Sequence, residues 1–364
     1  MIRIALLPGD GIGPEVVAAA VEVLGSVAQA HGFEVATRHF DLGAERYLRT
    51  GETMPEADFV RLRDDFDAIL FGALGDPRVP SNVHARDILL GLRQRLDLYV
   101  NLRPVVLWHE ALCPLKGRGP GSIDMAVVRE NTESLYVGIG GTFKPGTPDE
   151  VAQNVMISTR KGAERLLRFA FGLARQRRSH LVLCDKANAI EAAHGLWRRV
   201  LKELAAEYPD VRATTLYADV ACMRLVTHPH EFDVVVGDNF VGDILSDLAA
   251  ALVGGLGLAP SASTHPGRVG LYEPVHGSAP DIAGKGRANP LAAILSLAML
   301  LRDCGQAAAA ADIEHACADT VRAGLTTADL GGALGTADVT AHILARLGER
   351  PATPGASAVP APTG

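Results

Sequence analysis

Short apolar runs alternate with segments of helical spacing along almost the whole chain. "IRIALLPG" reads as a strand and "PEVVAAAVEVLGSVAQAHG" as a helix. "DAILFGAL" is again strand-like, and "ARDILLGLRQRLDLY" is helical. The strand-like runs "DMAVVRE", "HLVLCDK" and "FDVVVGDN" come next, separated by the helical "KGAERLLRFAFGLARQR" and "HGLWRRVLKELAAEYP". Such alternation predicts an α/β fold, a largely parallel sheet with helices on its faces. At 364 residues there is room for two domains. The last stretch, "ERPATPGASAVPAPTG" (349–364), is rich in Pro, Ala, Gly and Ser and reads as a disordered tail.

Composition narrows the partners. A net charge of −7 and a pI near 5.9 speak against nucleic acid as the main partner. No apolar run is long enough to span a membrane, and the apolar N-terminal patch is too short for a secretory signal. A cytoplasmic protein is expected. The cysteines (113, 184, 222, 304 and 317) are odd in number and form no CxxC, so neither a disulfide framework nor a zinc site is indicated.

"NFVGDILSDL" (239–248) puts Asp243 and Asp247 one helical turn apart, where like charges repel by a few tenths of a kcal/mol. Acidic decoration near a helix N-terminus is the plain explanation. A site for Mg²⁺ or Mn²⁺, hard ions that prefer oxygen donors, is the sharper one. "GDGIGPE" (9–15) spaces its glycines as GxGxGP rather than GxGxxG. It reads as a tight turn with Pro14 at the start of a helix, not as a Rossmann fingerprint.

On one helix, Arg86, Leu90 and Arg93 would share a face (i, i+4, i+7), with Leu89 alongside. Arg103 stands before a proline expected to end its extended run, and Arg129 closes a strand. Planar guanidinium forks suit a substrate with two carboxylates. Lys186 comes after a strand, at its C-terminal end, where α/β proteins bind ligands. Asp219, in "LYADVACMRLV", reads as an acid in apolar surroundings that needs a partner. "LYEPVHGSAPDIAGKGRANP" (271–290) has the composition of a binding loop, and an Asp there would accept from ribose hydroxyls and repel a 2′-phosphate.

Together these segments resemble the β-decarboxylating dehydrogenases of 2-hydroxy acids, from "LLPGDGIGPEV" to "TADLGGALGTADVTAHIL". "DNFVGDILSDLAA" and "EPVHGSAPDIAGKGRANP" carry the likeness most specifically. "DLGAERYLRTGETMP", "DAILFGALGDPRVPS" and "LGLRQRLDLYVNLRPV" point within it to the isopropylmalate branch. The resemblance implies an isopropylmalate dehydrogenase-like two-domain fold, not Rossmann, in an obligate homodimer with shared active sites. Residues 1–100 plus 255–348 would form the cofactor domain and 101–254 the dimerisation, metal and substrate domain.

The resemblance further implies a role for each site residue. Asp243 and Asp247 would bind the metal, joined by Asp219 from the other subunit. Tyr136, Lys186 and Asp219 would be catalytic, Lys186 also reaching in from the other subunit. Arg93, Arg103 and Arg129 would hold the substrate carboxylates, with Leu89, Leu90 and Arg86 facing the C3 substituent. Asn188, Glu273, His276, Gly277, Ser278, Ala279, Asp281 and Asn289 would bind the cofactor. Asp281-Ile282 stands where NADP-dependent relatives tend to carry Lys-Tyr, so NAD is expected.

The substrate implied is a small 2-hydroxy di- or tricarboxylate, foremost 3-isopropylmalate. The pattern departs from that branch at Ala85, Asp87 and Arg287, and "RENTES" resembles the homoisocitrate and tartrate/D-malate branches. Those substrates, isocitrate and a phosphonate-bearing malate are the alternatives. A non-catalytic regulatory homologue is the alternative of another class.

Overall fold

The computed structural model describes residues 1–349. In chain order the strands are β1 (Ile2–Gly9), β2 (Val35–His39), β3 (Ala68–Ala73), β4 (Val100–Val106), β5 (Asp124–Glu130), β6 (Gly140–Phe143), β7 (Val151–Asn154), β8 (His180–Asp185), β9 (Arg212–Tyr217), β10 (Val234–Gly237), β11 (Pro260–Thr264) and β12 (Gly270–Pro274). The helices are α1 (Gly13–His31), α2 (Ala44–Thr50), α3 (Glu56–Asp64), α4 (Val83–Ala85), α5 (Gly91–Arg95), α6 (Arg160–Arg175), α7 (Glu191–Ala205), α8 (Ala218–Thr227), α9 (Asn239–Ala251), α10 (Leu291–Asp303), α11 (Ala307–Arg322) and α12 (Thr336–Glu349).

The chain divides into two compact units. Among the described residues, the first comprises Met1–Leu98, Val106–Gly121 and 250–349. Its strands lie in the order β2-β1-β3-β12-β11, parallel except for the β11–β12 pair. That is not the strand order of a classical dinucleotide fold. Its central helix α10, "LAAILSLAMLLRD", is buried from Leu291 through Leu301. A helix apolar on every side must be enclosed, and α1, α11 and β12 enclose this one. No helix among the described residues is long and apolar enough to cross a membrane.

The second unit comprises Tyr99–Val105 and Ser122–Ala249. Its strands run β4-β5-β10-β8-β9, with β5, β10, β8 and β9 parallel. Val234 of β10 is flanked by Ala126 and Leu181, so the apolar centre of each strand falls in one layer. Helices α6 and α7 cover that layer with Leu166, Leu167, Phe171, Trp197 and Val200. Phe171 stacks on Tyr208 with ring centroids 4.6 Å apart. A separate hairpin, β6–β7, is exposed along its whole length.

Several sequence-based expectations shift. Val106–Gly121, assigned above to the second domain, clusters with the first unit, where Leu112 approaches Gly254. Pro104 does not end its strand, since β4 continues to Val106. Proline's φ is compatible with extended chain, and only its missing N–H restricts where it can lie. The helix across 83–95 is broken by a π-turn at Arg86–Leu90. One extra residue in a turn rotates the rest of the helix, so Arg86 and Arg93 no longer share a face. Arg93 is buried, whereas the Arg86 side chain is 66% exposed. Glu349, counted with the tail, is the last residue of α12, and the rest of that tail lies outside the described residues.

Candidate active site

In the second unit, two arginines on neighbouring strands face one helix. Arg103 of β4 and Arg129 of β5 are both buried. Gly242 allows α9 this close, because a Cβ there would lie 2.8 Å from the Arg129 Cβ. Arg129 donates through Nε to Asn239 Oδ1 at 2.8 Å and through Nη1 to Asp243. Arg103 donates to Asn101 (2.9 Å), Ser246 (2.8 Å) and Asp247 Oδ1 (2.9 Å), with its Nη2 3.6 Å from Asp243. Tyr136, on the 3₁₀ turn Leu135–Val137, donates its hydroxyl to Asp243 Oδ2 at 2.7 Å. Its ring centroid is 5.2 Å from the Arg129 guanidinium.

This crowding sets the electrostatics. Burial pushes the Tyr136 hydroxyl above its ordinary value, and its bond to anionic Asp243 pushes the same way. Burial also raises the Asp247 carboxyl, and repulsion from Asp243 adds to this against the pull of Arg103 and Arg129. A cation between the two aspartates would relieve that repulsion. Two hard carboxylates one turn apart, each also facing an arginine, are a donor set suited to Mg²⁺ or Mn²⁺.

Lys186 and Asp219 do not join this cluster within the chain. Lys186 Nζ pairs with Asp219 Oδ1 at 2.7 Å. Among the described residues no three His, Cys, Asp or Glu groups are arranged to hold a metal ion. Asp219 does not lie in apolar surroundings: it is in the first turn of α8 and its side chain is 64% exposed. Of the apolar residues near it on that helix, Val220, Met223 and Val226 are exposed, while Ala221 and Leu225 face inward. The salt bridge to Lys186 holds the Asp219 carboxyl below the usual range. Asn188 is exposed in the turn after β8.

In the first unit the candidate cofactor loop runs from β12 to α10. "GDGIGPE" turns out to abut it. Ile12 N–H donates to Ser278 O at 2.8 Å, and Gly11 has φ +57° with a would-be Cβ 2.0 Å from that oxygen. Only glycine fits there. Asn289 donates to Asp329 Oδ2 at 2.9 Å and accepts from Leu291 N–H at 3.0 Å. His276, Asn289, Asp329, Ile282 and Arg287 line a cleft of ≈ 280 Å³. Burial keeps the His276 imidazole below its ordinary value, and its Nε2 has no hydrogen-bond partner. An orphaned nitrogen in such a cleft fits a nucleoside. Gly277 and Asp281 are exposed beside it, and Ala279 takes a left-handed φ of 38°.

Glu273 pairs with buried Arg93 at 2.7 Å. Leu89 packs against the core cluster of Ile88 and Leu92, Leu90 is half-buried, and Arg86 meets Asp87 at 3.3 Å.

The sequence reading missed one group here. Asp10 accepts from Ala44 N–H (2.6 Å), Gly75 N–H (2.9 Å) and His84 Nε2 (2.8 Å), locking the glycine turn to two other segments. An acid inside a glycine-rich turn was the available signal.

A profile of the isocitrate/isopropylmalate dehydrogenase family matches residues 3–343. The 3-isopropylmalate dehydrogenase of Thermobifida fusca is 47% identical over 352 residues, 96% of this chain and 98% of its own. That of Corynebacterium diphtheriae is 50% identical over 318 residues, 86% and 92% of the two chains. Among solved structures, an isocitrate dehydrogenase from Methylococcus capsulatus matches with a TM-score of 0.87 at 37% identity, covering 95% of this chain and 99% of that one. A β-decarboxylating dehydrogenase from Thermococcus kodakarensis matches with a TM-score of 0.78 at 38% identity, covering 96% and 97%.

Proposed function

Because this chain belongs to the isocitrate/isopropylmalate dehydrogenase family, we propose that it oxidatively decarboxylates 3-isopropylmalate to 2-oxoisocaproate, CO₂ and NADH. The observation that carries the reading is the convergence of Arg103, Arg129 and Tyr136 on Asp243 and Asp247. When bound, Mg²⁺ or Mn²⁺ supplies Lewis-acid polarisation of the 2-hydroxyl and of the carbonyl it becomes, and NAD⁺ supplies the hydride acceptor. Asp243, Asp247 and the other subunit's copy of Asp219 would hold the metal. Gly277, Ser278, Asp281 and Asn289 would hold the adenosine half of the cofactor, with His276 and Ala279 beside them, and Asn188 would be placed toward the nicotinamide.

The chain's own groups then act in order. Arg103 and Arg129 turn their forks from the aspartates to the two substrate carboxylates. The other subunit's copy of Lys186 takes the 2-hydroxyl proton through a bridging water. After CO₂ leaves, Tyr136 returns a proton to C3 of the enolate.

A homodimer is part of the proposal. α8 and α9 each present an exposed apolar stripe, Met223 at 67% and Ile244 at 49% among them, beside the acidic residues they carry. A second copy covering both stripes would deliver its Lys186 and Asp219 to this chain's Asp243 and Asp247. We assign the enzyme to the cytoplasm. A tricarboxylate substrate is the second reading, favoured by the exposed Arg86 guanidinium.

A substrate panel tests both readings. kcat/KM with 3-isopropylmalate, isocitrate, homoisocitrate, D-malate and tartrate is measured as NADH formation. Preference for 3-isopropylmalate is expected, and preference for a tricarboxylate would overturn the ranking.

A further inference from the structure

The cleft beside the loop from β12 to α10 holds a cation that the proposed mechanism does not use. Ile12, Ile282 and Ala328 give the cleft apolar walls, and Arg287 is the one cationic side chain among the described residues that line it. Every lining residue belongs to the first unit, so one chain supplies them all. Gly257 makes room for the hydrogen bond from Asn289 to Asp329, since a Cβ there would lie 2.7 Å from Asn289 Nδ2 and 2.3 Å from Asp329 Oδ2. His276 adds an acceptor. Its Nδ1 meets Gly277 O at 3.0 Å. A carbonyl only accepts, so in the neutral ring Nδ1 carries the proton and the unpartnered Nε2 presents a lone pair. An acceptor between apolar walls suits the exocyclic amine of a neutral purine. Asp329 in the cleft and Asp281 exposed beside it would repel a phosphate in the same space.

Arg287 is exposed, and among the described residues its guanidinium forms no ion pair or hydrogen bond. The backbone that carries it is held on both sides. Gly286 C=O accepts the Thr336 N–H of α12 at 2.9 Å. Ala288 N–H donates to Glu15 Oε1 of α1 at 3.1 Å, and Ala288 C=O accepts from Thr336 Oγ1 at 2.6 Å. Only the side-chain rotamers remain to be ordered when a ligand arrives, which limits the entropic cost of recruiting a long arginine. A merely solvated arginine would need neither a fixed base nor a place in a cleft wall.

We propose that Arg287 is a cofactor-recognition residue whose guanidinium stacks on the adenine ring in this cleft. The inference rests on the reading of the cleft as the adenosine site. A guanidinium is planar and weakly hydrated, so it lies flat on an aromatic face, whereas an ammonium stays a hydrated point charge. The base is then held by its face through Arg287 and by its amine through His276.

The test uses Arg287→Leu and Arg287→Lys in the full-length enzyme. Binding of NAD⁺, AMP, adenosine and nicotinamide mononucleotide is measured by calorimetric titration, and kcat and KM for NAD⁺ by NADH formation. Removing an exposed arginine strands no partner, so thermal midpoint should stay put. Arg287→Leu is expected to weaken NAD⁺, AMP and adenosine by one common factor, about 3–30-fold. Nicotinamide mononucleotide, which has no adenine, should bind as before. KM for NAD⁺ should rise by the same factor while kcat at saturating NAD⁺ stays within about 2-fold. Arg287→Lys keeps the charge without the plane and should fall between wild type and Arg287→Leu. A wild-type enzyme that binds no adenosine overturns the inference, as does full recovery of affinity in Arg287→Lys. A loss confined to AMP and NAD⁺ also overturns it, by moving the guanidinium onto a phosphate. If the wild type forms NADH and Arg287→Leu binds adenosine equally well, only the present inference falls. If the wild type turns over no substrate of the panel but adenosine binding still weakens in Arg287→Leu, the proposed activity falls and the adenine contact stands.

Discussion

Replacing Tyr136 by Phe separates catalysis from folding. The hydroxyl donates to Asp243 Oδ2 at 2.7 Å, and that carboxylate also accepts from Arg129 and lies 3.6 Å from Arg103. Deleting the hydroxyl therefore leaves no buried group unpaired, and stability should change by about 1 kcal/mol or less. The ring that faces Arg129 at 5.2 Å is retained. Catalysis should respond differently. If Tyr136 returns the proton to C3, its loss removes general acid assistance, typically 10²–10⁴-fold, or about 2.7–5.5 kcal/mol of barrier. The direct assay is exchange of the C3 hydrogens of 2-oxoisocaproate with D₂O in the presence of enzyme, Mg²⁺ and NADH, monitored by NMR. Exchange and kcat should fall together while NAD⁺ affinity and thermal midpoint stay put. Exchange at the wild-type rate in Tyr136→Phe would refute the assignment, whatever happened to overall turnover.

The same contacts lead to other expected outcomes. Removing divalent cations with EDTA should abolish NADH formation and added Mn²⁺ should restore it; full activity in EDTA contradicts the aspartate site. Asp281→Lys should raise NADP⁺ use relative to NAD⁺ by at least about 10-fold, one charge reversal beside a phosphate being worth more than about 1.4 kcal/mol; an unchanged cofactor ratio would move the ribose site elsewhere. Arg93→Met strands Glu273 as a buried charge and should cost about 3–5 kcal/mol in urea unfolding. Glu130, buried at the end of β5, has its carboxyl pushed up from 4.5 to about 7 by burial, against hydrogen bonds from Thr132 and Glu133. The folded state then binds a proton more tightly than the unfolded state, so this group makes stability fall as pH rises from about 4.5 to about 7. The drop should be on the order of 3 kcal/mol, and urea unfolding of Glu130→Gln against pH should lose that slope.

Local pattern determined much of this protein. Period-2 and continuous apolar runs set β1, β3, β5, β8 and β10, and helical spacing set α1, α6, α7 and α9, because those signals depend only on neighbours in the chain. Asp243 and Asp247 were legible as a pair for the same reason, since i and i+4 on a helix are adjacent whatever surrounds them. Contacts between distant segments were not legible. That Arg93 would meet Glu273 was invisible, because a π-turn rotated it inward and its partner lies 180 residues away. Asp219 read as enclosed from its apolar neighbours in sequence, yet burial is a property of what packs on a helix, and here α8 buries only Ala221 and Leu225 and leaves Asp219 on its outer side with Val220, Met223 and Val226. The hydrogen bond between Asp10 and His84 likewise joins elements that only the folded chain brings together. Sequence specifies periodicity, and hence which face a residue takes on its own element. Only the packing of elements decides which faces meet, because that choice minimises exposed apolar area and unpaired polar groups over the whole chain at once.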